Sequence, residues 1–290
     1  MKKFTFITDS CANLTDELIN ELGIVVMPMV YILDGKEYVS YSKNEVTELK
    51  KYYEMMRNKT TITTSCISET TCMETFEPIL KSGSDLLYLG FSSGLSATYQ
   101  IAEKVLCELK TKHPDRTILC VDSLGGSLGQ GLMAYYAARM QNDGADIQSV
   151  CDWLESNRLK VNHLFTVDNL SYLHKGGRLK KTSFIIATTL NIKPLMFCDN
   201  NGKLVAFGKS LGRRASLNAL VKKMIDTIVE PEKQTIFISH GDCIEDVEYV
   251  INHINERIKV KEIVINYIDL VIGAHSGPGT VALFFLSDKR

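Results

Sequence analysis

The stretch Asp85-Leu86-Leu87-Tyr88-Leu89-Gly90-Phe91-Ser92-Ser93-Gly94-Leu95-Ser96-Ala97-Thr98 passes from an apolar run into a loop of hydroxyls and glycine, and then into a segment with helical spacing. The run predicts a buried strand over 85–90 and the spacing predicts a helix over 96–110. Ser96 is of the type that caps such a helix. The same order recurs downstream, where a strand over 117–121 leads through Asp122-Ser123 and a glycine-rich loop into a helix over 128–142. Upstream, a short strand over 4–8 ends in Asp9-Ser10, and a helix over 15–22 gathers Leu14, Leu18, Ile19 and Leu22 on one face. A single buried strand over 24–33 closes at Asp34-Gly35, and helices follow over 46–57 and 70–81. Repeated strand–loop–helix units predict an α/β fold, with a mostly parallel sheet flanked by helices.

The second half has another rhythm. Strands over 164–167, 195–198 and 204–207 lie close together, and Asp199-Asn200-Asn201-Gly202 between the last two is a hairpin turn. Helices over 215–229 and 244–257 and strands over 235–239, 261–266 and 280–286 complete an α+β pattern with a mixed sheet. The boundary is expected near Asn157, giving domains 1–157 and 158–290.

With 33 basic against 34 acidic residues, bulk charge excludes a strongly basic nucleic-acid binder. The apolar run over 24–33 is interrupted by Pro28 and is too short to span a bilayer. The N-terminal segment reaches Asp9 too soon for a signal sequence. Eight scattered cysteines with no C-x-x-C pair fit reduced thiols, so a cytoplasmic location is expected.

Two hydroxyl clusters stand out, Ser92-Ser93-Gly94-Leu95-Ser96 and Thr60-Thr61-Ile62-Thr63-Thr64-Ser65, each before a helix. Such loops at the ends of parallel units hold a carboxylate or phosphate, or simply cap helices. Gly90-Phe91-Ser92-Ser93-Gly94 also matches the G-x-S-x-G elbow, with Asp122 and His240 or His275 in hydrolase order, so Ser92 or Ser93 is a candidate nucleophile. Gly129-Gln130-Gly131-Leu132-Met133-Ala134 fits a loose dinucleotide fingerprint. Its glycines start well after the strand, so close helix packing is the better account. Lys175-Gly176-Gly177-Arg178-Leu179-Lys180-Lys181 is a basic turn in which Arg178 offers forked donors to an anion, and Arg213-Arg214 extends that surface. His275-Ser276-Gly277-Pro278-Gly279-Thr280 joins two apolar runs, 268–272 and 281–286, through a loop that lets backbone approach a ligand. His240-Gly241-Asp242 lacks a third ligand at useful spacing, so no metal is expected.

Taken together these motifs resemble the DegV family. The matching stretches, in family order, are Thr8-Asp9-Ser10, Thr64-Ser65, Ser92-Ser93-Gly94-Leu95-Ser96-Ala97-Thr98-Tyr99-Gln100 and Val121-Asp122-Ser123. They continue with Val167-Asp168-Asn169-Leu170-Ser171-Tyr172-Leu173-His174-Lys175-Gly176-Gly177-Arg178 and Ile272-Gly273-Ala274-His275-Ser276-Gly277-Pro278-Gly279-Thr280. The resemblance implies a two-domain protein that is not itself an enzyme. It would sequester one long-chain fatty acid, with no cofactor, as the binding subunit of a bacterial fatty acid kinase. An ATP-binding partner would phosphorylate the carboxyl group, feeding phospholipid synthesis. The implied partners are thus the fatty acid, that kinase and, transiently, a membrane surface.

By the same resemblance, Thr64 and Ser96 hold the carboxylate with Ser65, Ser93 and His275 nearby. Arg178 and Gly277 lie at the head-group junction, and Lys175, Arg213 and Arg214 serve docking. Phe165, Phe184, Ile185, Ile186, Leu190 and Met196 are candidates for the tail. The chain departs from the family pattern at Cys66-Ile67-Ser68, at Ala97 and at Leu211, which stands where the family has an arginine implicated in kinase engagement. Two further readings follow from the same residues: a serine hydrolase using Ser92 or Ser93, and a lipid-responsive regulator with no kinase partner.

Overall fold

The computed structural model describes residues 4–43, 45, 47–179 and 191–290. Val46, Lys180, Lys181, Phe184, Ile185, Ile186 and Leu190 lie outside them. A four-stranded parallel sheet has the order β2-β1-β6-β7, built from β1 (Phe4–Asp9), β2 (Val25–Met27), β6 (Asp85–Gly90) and β7 (Ile118–Asp122). Every residue of β6 is buried, as a central parallel strand covered on both faces requires. After β1 comes α1 (Asp16–Leu22). The Thr15 hydroxyl accepts from the Leu18 N–H at its start, Asp16 and Glu17 complement the dipole, and Gly23 at φ +66° ends it.

The strand expected over 24–33 is two strands in two sheets. Pro28 has no N–H for a ladder, and the chain turns away there. β3 (Val30–Leu33) then pairs antiparallel with β4 (Lys36–Val39) across a turn in which Asp34 and Gly35 both have positive φ. On its other side β3 pairs with β5 (Ile62–Ser65), so Thr63, Thr64 and Ser65 sit on a strand and not in a loop leading to a helix. A run of β-branched residues favours that outcome. Between them lies α2 (Leu49–Arg57), and the helix after β5, α3 (Glu69–Lys81), is capped by Ser68.

The helix after β6, α4 (Thr98–Lys112), starts two residues later than expected, because the Ser92 carbonyl accepts from the N–H groups of Leu95 and Ser96 and holds 92–96 as a turn. Its N-cap is Ala97, while the Ser96 Oγ accepts from the Thr98 N–H at 3.2 Å.

α5 (Leu128–Asn142) follows β7 and is buried along ten of its residues. It is followed by α6 (Ile147–Asn157) and then by the second sheet. That sheet comprises β8 (Val161–Thr166), β9 (Ile192–Cys198), β10 (Leu204–Leu211), β11 (Thr235–His240), β12 (Glu262–Tyr267) and β13 (Val281–Leu286) in the order β10-β9-β8-β13-β11-β12. Only β11 and β12 pair in parallel, so the sheet is mixed, as the sequence predicts. Between β8 and β9 lies α7 (Ser171–Lys175); α8 (Arg213–Thr227) and α9 (Ile244–Asn255) follow β10 and β11. The apolar run 268–272 proves to be the approach and first turns of a helix, α10 (Leu270–Ser276), whose N-cap Asp269 accepts from the Ile272 N–H at 3.0 Å.

α5 packs against β6 of the first sheet and against β8, β11 and β13 of the second. One apolar cluster therefore runs through it, from Phe4 and Phe6 to Phe237 and Phe284. The glycines of the loose fingerprint serve this packing: a Cβ at Gly131 would stand 2.4 Å from the Ala12 carbonyl oxygen, and one at Gly129 would stand 2.1 Å from His163 Nε2. Gly131→Ala meets backbone that cannot yield, and is expected to lower the unfolding free energy by about 2 kcal/mol in urea denaturation.

Candidate functional site

A cavity of about 350 Å³ lies between the loop 91–97, the small antiparallel sheet, α10 and the six-stranded sheet. Its size falls in the range of small-molecule pockets, roughly 300–1,000 Å³. Most of its wall is apolar, with Met29, Phe91, Leu95, Phe165, Leu173 and Phe284 among the contributors. α10 and the residues leading into it supply Ile268, Val271, Ile272, His275 and Ser276, the spacing of one helical face. Polar groups collect where that face ends: Thr64 and Ser65 from β5, Ser96 from the loop before α4, Arg178 and His275.

Thr64 Oγ1 lies 2.7 Å from His275 Nε2. The other ring nitrogen is buried without a partner and packs on Gly176, where a Cβ would stand 2.1 Å from Nδ1. Burial, with Arg178 beside it, pushes the His275 imidazole down to about 4, so the ring is neutral at pH 7. Its single proton has an acceptor only at Nε2. We therefore assign the N–H to Nε2, donating to Thr64, which frees the Thr64 hydroxyl proton to point into the cavity. Arg178 donates through Nε to the Leu95 carbonyl at 3.1 Å and also to the Gly176 carbonyl, tying the basic turn to the Ser96 loop. Burial draws its pKa below the ordinary value.

That loop is anchored from behind by Asp9. Its carboxylate accepts from the Phe91 and Cys11 N–H groups, the Tyr88 hydroxyl and the Gln130 amide, yet burial still pushes it up to about 6.

A second, more polar cleft of about 560 Å³ adjoins the first and is lined by Lys59, the threonines at 60, 61, 63 and 64, Ser171, Tyr172 and Lys175. It shares Thr64, Arg178 and His275 with the inner cavity. These three side chains form a partition between an apolar space and a more polar one.

The structure thus brings Thr64, Ser65, Ser96, Arg178 and His275 into one cavity wall and puts Lys175 in the adjoining cleft. Ser93 lies outside the lining, with its N–H donating to the Asp122 carboxylate at 3.2 Å. Gly277 caps α10 at φ +80°, and a Cβ there would stand 2.4 Å from the Tyr172 ring, so its role is close packing. Arg213 is held by Asp246 at 2.8 Å and the Gly279 carbonyl at 2.6 Å, and Arg214 stacks over Tyr249 at 4.0 Å; neither borders either space. Among the tail candidates, Phe165 lines the cavity and Met196 is buried outside it.

Sequence reasoning passed over Ser127, His163, Ser239 and Ser276, which also line the cavity. Ser127 gives its proton to Asn13 Oδ1 at 2.9 Å, so Ser239 must donate to Ser127, and neither proton is left for a ligand. Ser276 Oγ is buried with no partner. Reading 268–276 as a helix would have placed it beside His275.

The hydrolase constellation is not assembled. Ser92 is buried, donates to the Gly202 carbonyl at 2.8 Å and accepts from the Gly94 N–H. Asp122 accepts from the backbone of Ser93 and Leu124, and His240 Nδ1 accepts from the Cys243 N–H. No helix among the described residues is long and apolar enough to cross a membrane.

The architecture is that of an α/β protein with two large sheets and one small one, which meet around an apolar cavity. The chain belongs to the DegV family, whose model, described as an uncharacterised protein family, matches residues 3–288. A DegV domain-containing protein of Clostridium perfringens is 41% identical, with 100% of this chain and 99% of that protein covered. Among solved structures, a DegV family protein of Thermus thermophilus described by its fatty acid binding superimposes with a TM-score of 0.88 at 26% identity, over 99% of this chain and 100% of the other. A fatty-acid-binding DegV family protein of Streptococcus agalactiae does so with a TM-score of 0.85 at 26% identity, covering 100% of both chains.

The histidine's environment has a measurable sign. His275 is neutral in the fold and titrates near 6.5 when unfolded, so its contribution is complete above 6.5 and is lost as pH falls towards about 4. The stability difference between wild type and His275→Gln should therefore shift against wild type over that window, by up to ~3 kcal/mol. Paired urea titrations at several pH values check it.

Proposed function

We propose that this protein sequesters one long-chain fatty acid and presents its carboxyl group to a separate kinase that forms an acyl-phosphate. The observation that carries the reading is the partition of Thr64, Arg178 and His275, with an apolar cavity on one side and a polar cleft on the other. An amphipathic ligand with its tail inside and its carboxylate at the partition meets matching surroundings at both ends. The fatty-acid-binding descriptions of the relatives from T. thermophilus and S. agalactiae support the ligand class.

In this reading Thr64, Ser65, Ser96 and His275 hold the carboxylate, and Ser93 and Gly277 shape the loops around them. Arg178 closes the junction, and Lys175 lies on the docking face of the outer cleft. The chain divides near Asn157, the first part supplying most of the hydroxyl end and the second part covering the tail. The protein acts in the cytoplasm as a carrier and is not itself the catalyst.

Burying ~14 methylenes at ~0.8 kcal/mol each supplies ~11 kcal/mol. Ordering and association costs reduce this to a micromolar-to-nanomolar affinity. Hydroxyl donors suit a carboxylate that must later react, since they orient it without the ion pair that would quench its nucleophilicity. Leu211, 74% exposed, favours one competing reading, a lipid-responsive regulator with no kinase, because it stands where the family arginine is missing. Capture by a bacterial fatty acid kinase separates the two.

Mass spectrometry of a solvent extract of purified, denatured protein should find stoichiometric fatty acid, strongly reduced in a Thr64→Ala/Ser96→Ala double variant. A protein that is empty and takes up no added fatty acid sinks the reading. With the kinase present, Thr64→Val is expected to lower acyl-phosphate formation at least tenfold while lipid retention falls less; equal losses count against the orienting role. Ser92, committed to Gly202, should remain unlabelled by a fluorophosphonate.

A further inference from the structure

One stretch of the cavity wall, apart from the residues shared with the cleft, is held in a specific way. Phe91, Gly126, His163, Cys198 and Leu204 line it, and none of them borders the outer cleft. The Phe91 ring sits directly on Gly126, where a Cβ would stand 2.2 Å from its Cε2. Cys198 and Leu204 face each other across the hairpin of β9 and β10, and the Cys198 thiol donates to the Leu124 carbonyl at 3.3 Å. The turn of that hairpin is pinned from two sides. Ser92 Oγ donates to the Gly202 carbonyl, and the Asn201 carbonyl packs so close to Gly94 that a Cβ there would stand 2.4 Å from it.

On the other side Arg290 spreads its guanidinium over four backbone carbonyls: Val161 at 2.8 Å, Leu124 at 2.7 Å, Asp199 at 3.0 Å and Arg158 at 2.7 Å. One side chain thus joins the start of β8, the end of α6, the glycine loop that carries Gly126 and the hairpin turn. A guanidinium has the five fixed donors such a junction needs.

We propose that this stretch of wall is where the tail ends and that it acts as a length gauge, in which the Phe91 ring seated on Gly126 is the stop for the terminal methyl and Arg290 is the positioning residue that holds the stop. The inference rests on the fatty-acid reading. It adds that chain-length choice is made here and not at the carboxylate.

The test is competitive binding of myristate, palmitate, stearate and arachidate to the delipidated full chain. Gly126→Ala drives the ring into the cavity and should raise the preference for myristate over stearate about tenfold, the value of two lost methylene burials. Phe91→Ala removes the stop and should raise arachidate over palmitate by a similar factor. Arg290→Ala should flatten the length profile about threefold while palmitate still binds, an effect that mere loss of stability would not produce. If Gly126→Ala fails to fold, Phe91→Ala and Phe91→Leu still decide the matter. Variants that bind palmitate with the wild-type length profile overturn the gauge. A wild-type protein that binds none of the four acids overturns instead the fatty-acid reading beneath it.

Discussion

α5 has almost no side to give to water. The first sheet lies against it through β6 and the second through β8, β11 and β13, and its residues from Leu128 to Tyr135 are all buried. A helix clamped between two sheets must be slim on both faces, which is why Gly129, Gly131, Ala134, Ala137 and Ala138 occur along it. Each close approach then fixes a neighbour. Gly129 seats His163, Gly131 seats the turn at Ala12, and the loop before the helix seats Phe91 through Gly126. The cavity borders this wedge, so its walls inherit the rigidity of the packing.

The polar end of the cavity works by the opposite rule. Its hydroxyls and imidazole are neutral, and the one cation among its described residues, Arg178, is held by backbone carbonyls of Leu95 and Gly176. His275 is kept uncharged by burial. An isolated charge in such a place would carry a large desolvation cost. Allotting protons through fixed partners leaves Thr64 and Ser276 with hydrogens to offer. Asp9, four bonds deep behind the loop, carries the burial cost of holding that arrangement and is pushed up to about 6 in consequence.

Much of the frame was legible in the chain because its signals are local. The span of α5, the strand at β6 and the hairpin at Asp199–Gly202 follow from apolar runs and turn residues. The misread elements had ambiguous local signals settled by distant partners. The threonines before Ser65 look like a loop until β3 offers them a ladder. The single strand read over 24–33 is split at Pro28 because its two halves find partners in different sheets. Of the candidate site, Thr64, Ser65, Ser96, Arg178 and His275 were legible because they sit in unusual motifs. Ser127, His163 and Ser239 were not, since only the meeting of two sheets brings them to one cavity.

β13 lies in the middle of the six-stranded sheet, with β8 on one side and β11 on the other, though it is drawn from residues 281–286. Val281 pairs with Thr166, so the strand that joins the two halves of the sheet emerges from the ribosome long after the first of its partners. Until then β8 has an open edge and α5 a bare flank. Closure of such a distant pair is slow. For that interval the nascent chain exposes the apolar surface that will later enclose the cavity, a form suited to capture by chaperones and prone to association.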